Sequence, residues 1–151
     1  MSERSLVIVK PDGVQRGLVG EIITRLERRG LRLCALKIQQ LPPSLAEAHY
    51  AQHRERPFFP EVVSFITSGP VVLMVWEGKG AITAIRQSMG ATDPAQAQPG
   101  TIRSDLALNI AFNLVHGSDS PEAATREINL FFRTEEIVSY RRAGDQWVSP
   151  E

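Results

Sequence analysis

The sequence predicts an α/β sandwich of the α+β kind: a ferredoxin-like βαββαβ arrangement, with an antiparallel sheet and helices packed on it. Three observations predict it. Strand and helix patterns interleave along the chain, which argues for one sheet with helices laid on it. The second strand follows the first too closely for a full doubly wound sheet, so a split β-α-β unit is the economical choice. The most hydrophobic strand, residues 71–76, belongs in the middle of that sheet. The chain has 151 residues, enough for one core, with no repeat or linker. A single domain over 1–151 is expected, with 141–151 as a tail.

Residues 5–10 are a short, β-branched apolar run and read as a buried strand ending at Lys10. Pro11, Asp12 and Gly13 are turn chemistry. Over 18–29, apolar residues at 18, 19, 22, 23 and 26 trace one helical face, and Gly30 suits the residue after its end. A second strand covers 31–41. Pro42 and Pro43 break it, and Ser44 with Glu47 offers a capping box for a helix over 45–54. His49 and His53 share a face of that helix at metal-ligand spacing. However, Tyr50 stands where a His-Glu-x-x-His motif needs glutamate, and no third ligand is apparent. Both histidines are therefore read as solvated.

A third helix spans 61–68, after two adjacent phenylalanines, Phe58 and Phe59, lying between prolines. Either ring can fill the core or remain a stacking platform for a flat ligand. Strand 71–76 and helix 81–89 follow. Residues 91–100 form a long loop, continued by Thr101 to Ser104, and loops of this length are commonly functional or mobile. Asn113 to Val115 lead into His116 and Gly117, then Ser120 and Pro121 start a helix running to Phe132. Residues 137–140 read as an edge strand, and Trp147 is the expected docking anchor of the tail.

Composition removes several functions. Seventeen Lys+Arg balance seventeen Asp+Glu, so no global field favours nucleic acid or anionic lipid as the main partner, and an anionic ligand needs a local cation cluster. Cys34 is the only cysteine, which excludes an intrachain disulfide. The apolar run near the start is too short for a signal peptide, and none approaches a membrane span. The expected location is the cytoplasm. A P-loop is missing, and Gly78-Lys79-Gly80 is not continued at Rossmann spacing. Any phosphate must be held by side chains.

Within this frame His116 is either a nucleophile or general base, or a structural histidine at the core's edge. Glu127 lies in the following helix, close enough in sequence to fold back toward the imidazole. Asn113 and His116 face opposite sides of a straight strand, so their convergence requires a bend.

Five segments taken together resemble the nucleoside diphosphate kinase family. They are Val9-Lys10-Pro11-Asp12-Gly13-Val14-Gln15-Arg16-Gly17, Arg56-Pro57-Phe58-Phe59, Ser68-Gly69-Pro70-Val71, Pro99-Gly100-Thr101-Ile102-Arg103 and Asn113-Leu114-Val115-His116-Gly117-Ser118-Asp119-Ser120. The resemblance runs from about Arg4 to Phe132, in the family's order and spacing. It implies ping-pong transfer of a γ-phosphate from a nucleoside triphosphate such as ATP or GTP to a nucleoside diphosphate, through a phosphohistidine on His116. Glu127 would orient the imidazole, with Ser118 holding the carboxylate. Arg86, Thr92 and Arg103 would hold phosphates, with Lys10 and Tyr50 near the γ-phosphate. Lys10 and Asn113 would bond the sugar, and Phe58 would stack on the base. Mg²⁺ would come with the nucleotide's phosphates rather than in a protein cage.

The longer C-terminal tail resembles that of hexameric members, which favours a homo-hexamer over a tetramer. Phe112 departs from the arginine many members carry. The competing readings are a nucleotide-binding interaction module and a protein histidine phosphorelay.

Overall fold

The computed structural model describes residues 2–150; positions 1 and 151, which the single-domain expectation includes, lie outside them. Four strands form one antiparallel sheet: β1 (Ser2–Val9), β2 (Arg32–Gln39), β3 (Val71–Lys79) and β4 (Val115–Gly117), in the order β2-β3-β1-β4. This is the split β-α-β topology expected. β3 separates β1 from β2, and the strand read as most hydrophobic is internal. Val7 pairs with Met74 and Ile8 with Leu73, while Ile8 also faces His116 across the β1–β4 ladder.

β1 and β3 are apolar on both faces because both faces are covered. Alternate residues point to opposite sides. Val7, Val9, Val72, Met74 and Trp76 meet Ile22 and Leu26 of α2 (Val19–Arg28) and Ile85 and Met89 of α5 (Ala81–Met89). Leu6, Ile8, Leu73 and Val75 meet Ala46 of α3 (Pro43–His49), Ile66 of α4 (Phe59–Ile66) and Ile128 and Phe131 of α7 (Pro121–Phe131). The core thus has two halves divided by the sheet. Burying each large aliphatic side chain contributes about 1.5–3 kcal/mol.

Several local expectations need correction. Pro11 to Gly13 are not a turn but the start of a short helix, α1 (Pro11–Gln15), because Pro11 suits its first position and Lys10 becomes the residue before it. The helix expected over 45–54 begins earlier, with Pro43 in its first turn and Pro42 as the capping residue. Ser44 and Glu47 therefore make no capping box, and α3 ends at His49, followed by a 3₁₀ turn at Ala51–His53. Part of the long loop is ordered into a 3₁₀ turn at Pro94–Gln96, and then α6 (Ile102–Leu106) starts at the Thr101 cap.

Residues 137–140 form no strand. Val138 N donates to the Cys34 carbonyl at 2.9 Å and Tyr140 Oη to that of Leu33 at 2.6 Å, so the segment runs along the β2 edge without a ladder. Trp147 is 85% exposed and so is not the buried anchor expected of the tail. The tail is held instead by Asp145, which accepts from Arg32 at 2.9 Å and from the Arg142 backbone at 2.7 Å, and by Val148, which lies over Gly30.

Candidate active site

β4 is only three residues long, and it carries the imidazole of His116 beside α7. Ser120 accepts from Ala123 N at 3.1 Å and Pro121 sits in the first turn, as expected of this helix start. Two turns on, Glu127 Oε1 lies 3.1 Å from His116 Nε2 and accepts a 2.7 Å hydrogen bond from Ser118 Oγ. Ser118 is locked in turn, because Leu6 N donates to its Oγ at 3.1 Å and its own N–H donates to the Leu6 carbonyl. Glu127 is 5% exposed. Burial raises its carboxyl pKa, but the His116 contact and the Ser118 hydrogen bond outweigh burial and hold it below the ordinary range.

The bend required between Asn113 and His116 is made by Leu114, whose φ is +75°. A buried non-glycine residue in this region costs on the order of 1–2 kcal/mol, so the surroundings must enforce it. They do so with two main-chain contacts: Leu114 N donates to Asp12 Oδ2 at 3.0 Å, and Lys10 N donates to the Leu114 carbonyl at 2.8 Å. The bend aims Asn113 away from β4. Its Oδ1 accepts from Lys10 Nζ at 2.9 Å and its Nδ2 donates to the Thr92 carbonyl at 3.0 Å. Burial and the Arg103 charge, opposed by Asp12, lower the Lys10 pKa to about 8.

Arg103 is 5% exposed. Its guanidinium donates to the carbonyls of Asn113, Gly90 and Val115 at 3.2, 3.0 and 2.7 Å. Burial, then the like charge of Arg86, lowers its pKa to about 10, so it remains charged at neutral pH. Arg86 is exposed on α5 and reaches the Gly117 carbonyl at 3.4 Å. A cleft of about 640 Å³ opens beside it, with Gln87, Thr101 and Asp119 in its walls. Lys10, Arg86 and Arg103 supply the local cation cluster that a neutral chain needs to hold an anion.

Three more expected site residues lie on neighbouring segments. Tyr50 follows α3, and burial together with the Glu127 charge pushes its hydroxyl up to about 12. Phe58 is 42% exposed, with its ring 5.4 Å from that of His53. Thr92 is exposed, and its carbonyl rather than its hydroxyl makes the contact to Asn113.

His49 corrects the sequence reading most sharply. It is not solvated but 5% exposed, with its ring 4.9 Å from that of His116 at 90°, 4.7 Å from Tyr50 and 5.3 Å from Phe131. Burial, then the His116 ring, lowers its pKa to about 3. The spacing of Leu45, Ala46, His49 and Tyr50 along one helical face was the available signal. His53 belongs elsewhere, half-buried beside Phe58.

A buried carboxylate holding one imidazole nitrogen, beside a cluster of cations on an antiparallel α/β sandwich, is an arrangement suited to handling an anionic group such as a phosphate. The nucleoside diphosphate kinase family model matches residues 3–137. Curated nucleoside diphosphate kinases of Symbiobacterium thermophilum and Thermomicrobium roseum are 60% and 61% identical, covering 99% and 97% of this chain and 99% and 98% of their own lengths. The solved structure of a halophilic nucleoside diphosphate kinase from Halobacterium salinarum, in complex with CDP, superposes with a TM-score of 0.95 at 52% identity, over 99% of both chains. A nucleoside diphosphate kinase family protein from Babesia bovis gives 0.95 at 44% identity, over 97% of this chain and 99% of that one. The chain belongs to the nucleoside diphosphate kinase family.

Proposed function

We propose that the protein carries the γ-phosphate of a nucleoside triphosphate to a nucleoside diphosphate by a ping-pong route through His116, as a single domain over 1–151. The observation that carries this reading is the Nε2 contact to buried Glu127. The carboxylate keeps the ring proton on Nε2 and leaves the lone pair on Nδ1. Nδ1 attacks the γ-phosphorus, the bond to the β-phosphate oxygen breaks, and the nucleoside diphosphate leaves with that electron pair. The positive charge left on the ring faces Glu127. A second diphosphate then attacks the phosphohistidine, and the imidazole is restored.

Lys10, Arg86 and Arg103 neutralise charge on the transferring group, which is the main requirement of phosphoryl transfer. Tyr50 and Thr92 border the phosphates, Asn113 with Lys10 binds the sugar, and half-exposed Phe58 stacks on the base. Stacking tolerates every base, which suits a broad range of triphosphates and diphosphates, ATP and GTP included. The CDP held by the Halobacterium relative supports a nucleotide pocket. Cations dominate the polar groups around the phosphate position, a donor set unsuited to a resident Mg²⁺. Mg²⁺ fits as a passenger on the nucleotide, where it neutralises β- and γ-phosphate charge.

No helix among the described residues is long and apolar enough to cross a membrane, and we assign the protein to the cytoplasm. We assign it also to a homo-oligomer, with a hexamer favoured over a tetramer. Exposed Leu36, Ile38, Leu108, Ile110 and Phe112 support subunit contacts.

Intact mass tests the reading. After mixing with ATP and Mg²⁺ the protein should gain one acid-labile phosphoryl group and lose it to an added nucleoside diphosphate, while His116→Ala gains none. Retained nucleotide binding with no gain would point to an interaction module. A gain that passes to protein side chains and not to diphosphates would point to a relay.

A further inference from the structure

One nitrogen of His49, one of His116 and a Glu127 carboxylate oxygen lie within 4.8 Å of one another. This cluster combines two histidines and a carboxylate. His49 Nδ1 is buried and has no hydrogen-bond partner among the described residues. An orphaned buried polar atom is costly, and a cation bound at that nitrogen would relieve it. His116 has a quarter of its side chain exposed, which opens a way in from solvent.

Imidazole nitrogens with one carboxylate suit Zn²⁺ and its borderline neighbours, whereas Mg²⁺ prefers an all-oxygen octahedron. Bonds of about 2.0–2.2 Å in a tetrahedral site put ligand atoms roughly 3.3–3.6 Å apart. His116 and Glu127, at 3.1 Å, are already near that spacing. His49 closes the remainder by moving about 1 Å, and the fourth position stays with water.

We propose that His49, His116 and Glu127 form a binding site for Zn²⁺ or a similar borderline dication, whose occupation silences His116. The silencing rests on the phosphotransfer reading above; the binding does not. Either nitrogen of His116 produces the same outcome. A metal on Nδ1 uses the lone pair that attacks phosphorus. A metal on Nε2 displaces the ring proton to Nδ1 and removes the lone pair there. Mg²⁺ on a nucleotide would sustain turnover while a trace of Zn²⁺ stops it.

The full-length protein without nucleotide is titrated with Co²⁺, whose visible absorption reports coordination, and the Co²⁺ is then displaced with Zn²⁺. One equivalent per chain is expected, and His49→Phe, which keeps a flat ring in place, should weaken binding about 100-fold or more. Equal binding by that variant, or no stoichiometric binding by the natural chain, overturns the site. ¹⁵N-histidine NMR of the natural chain needs no variant: Zn²⁺ should move the nitrogens of His49 and His116 and leave His53 in place. Movement of His53 alone, or of none, also overturns it.

Turnover is then measured with Mg²⁺-nucleotide while Zn²⁺ is raised. Inhibition at least about tenfold weaker in His49→Phe is expected; equal inhibition in both proteins overturns the regulatory part. No turnover before Zn²⁺ is added would instead remove the phosphotransfer reading, and the Co²⁺ result is read independently of it.

Discussion

Arg103 serves two ends from one position. Its three carbonyl contacts tie Asn113 and Val115, on either side of the bend, to Gly90 at the end of α5, and it has further N–H groups for an anion. Arg103→Ala is expected to lower kcat by roughly 10²-fold or more and to reduce stability by about 1–3 kcal/mol, since buried carbonyls lose their donors. Arg103→Lys keeps the charge but not the fork, so steady-state kinetics should find it closer to alanine than to arginine. A change in KM alone would mean that the residue binds ground and transition states alike. Lys10 supplies a pH signature. With its pKa lowered to about 8, it is charged below that pH and neutral above it. The kcat/KM profile, which reports the free enzyme, should fall above about pH 8, and Lys10→Arg should move that fall to higher pH. An unchanged profile in Lys10→Arg would assign the fall to another group.

At the scale of elements, the site depends on a junction of three short pieces: α1, the Leu114 bend and β4. None is long enough to be stable alone. Asp12 connects them, because it lies on α1 and accepts from the Leu114 main chain. Asp12→Ala leaves that buried N–H unpaired in a strained conformation and is expected to cost about 1–3 kcal/mol in urea unfolding. Asp12→Asn retains an acceptor oxygen and should recover most of the loss. The same pair separates a local role from a general one: Asp12→Ala should lower kcat beyond what its stability loss explains, because Asn113 and His116 are aimed by that bend. If both variants unfold like the natural chain, the bend is held by the Lys10 main-chain bond alone.

For the whole molecule, β2 presents an exposed edge of the sheet. Leu36 and Ile38 are 52% and 65% exposed on one side of it, while Lys37 between them turns back to Glu136 at 3.2 Å. The segment over 137–140 covers the start of that edge at Leu33 and Cys34, and the apolar stretch left open past it invites pairing with another chain. Leu36→Lys combined with Ile38→Lys is expected to reduce the mass measured by light scattering to that of a smaller assembly, with circular dichroism unchanged. An unaltered mass would show that this edge makes no subunit contact. Phe112 itself packs edge-on against Phe65 at 5.6 Å.

The sequence by itself determined the sandwich, the order of its main elements, the family and the approach of Glu127 to His116. The sandwich, its element order and the Glu127 approach follow from short-range information: apolar periodicity, a proline and serine at a helix start, and a carboxylate two turns along that helix. The family follows from the resemblance carried by the five motif segments. Only the tertiary structure decided that His49 is buried against His116, because its solvation depends on α7 and β4 covering α3, across 67 residues of chain. Likewise a leucine with positive φ is invisible to local preference. It exists because Asp12 and Lys10, about a hundred residues earlier, bond its main chain at both ends. The tail was misread for the same reason. Trp147 looked like an anchor by size, whereas Asp145 and Val148 hold the tail because Arg32 and Gly30 lie where those side chains fall. Local chemistry sets which elements form, and only their packing sets which groups lose water and meet.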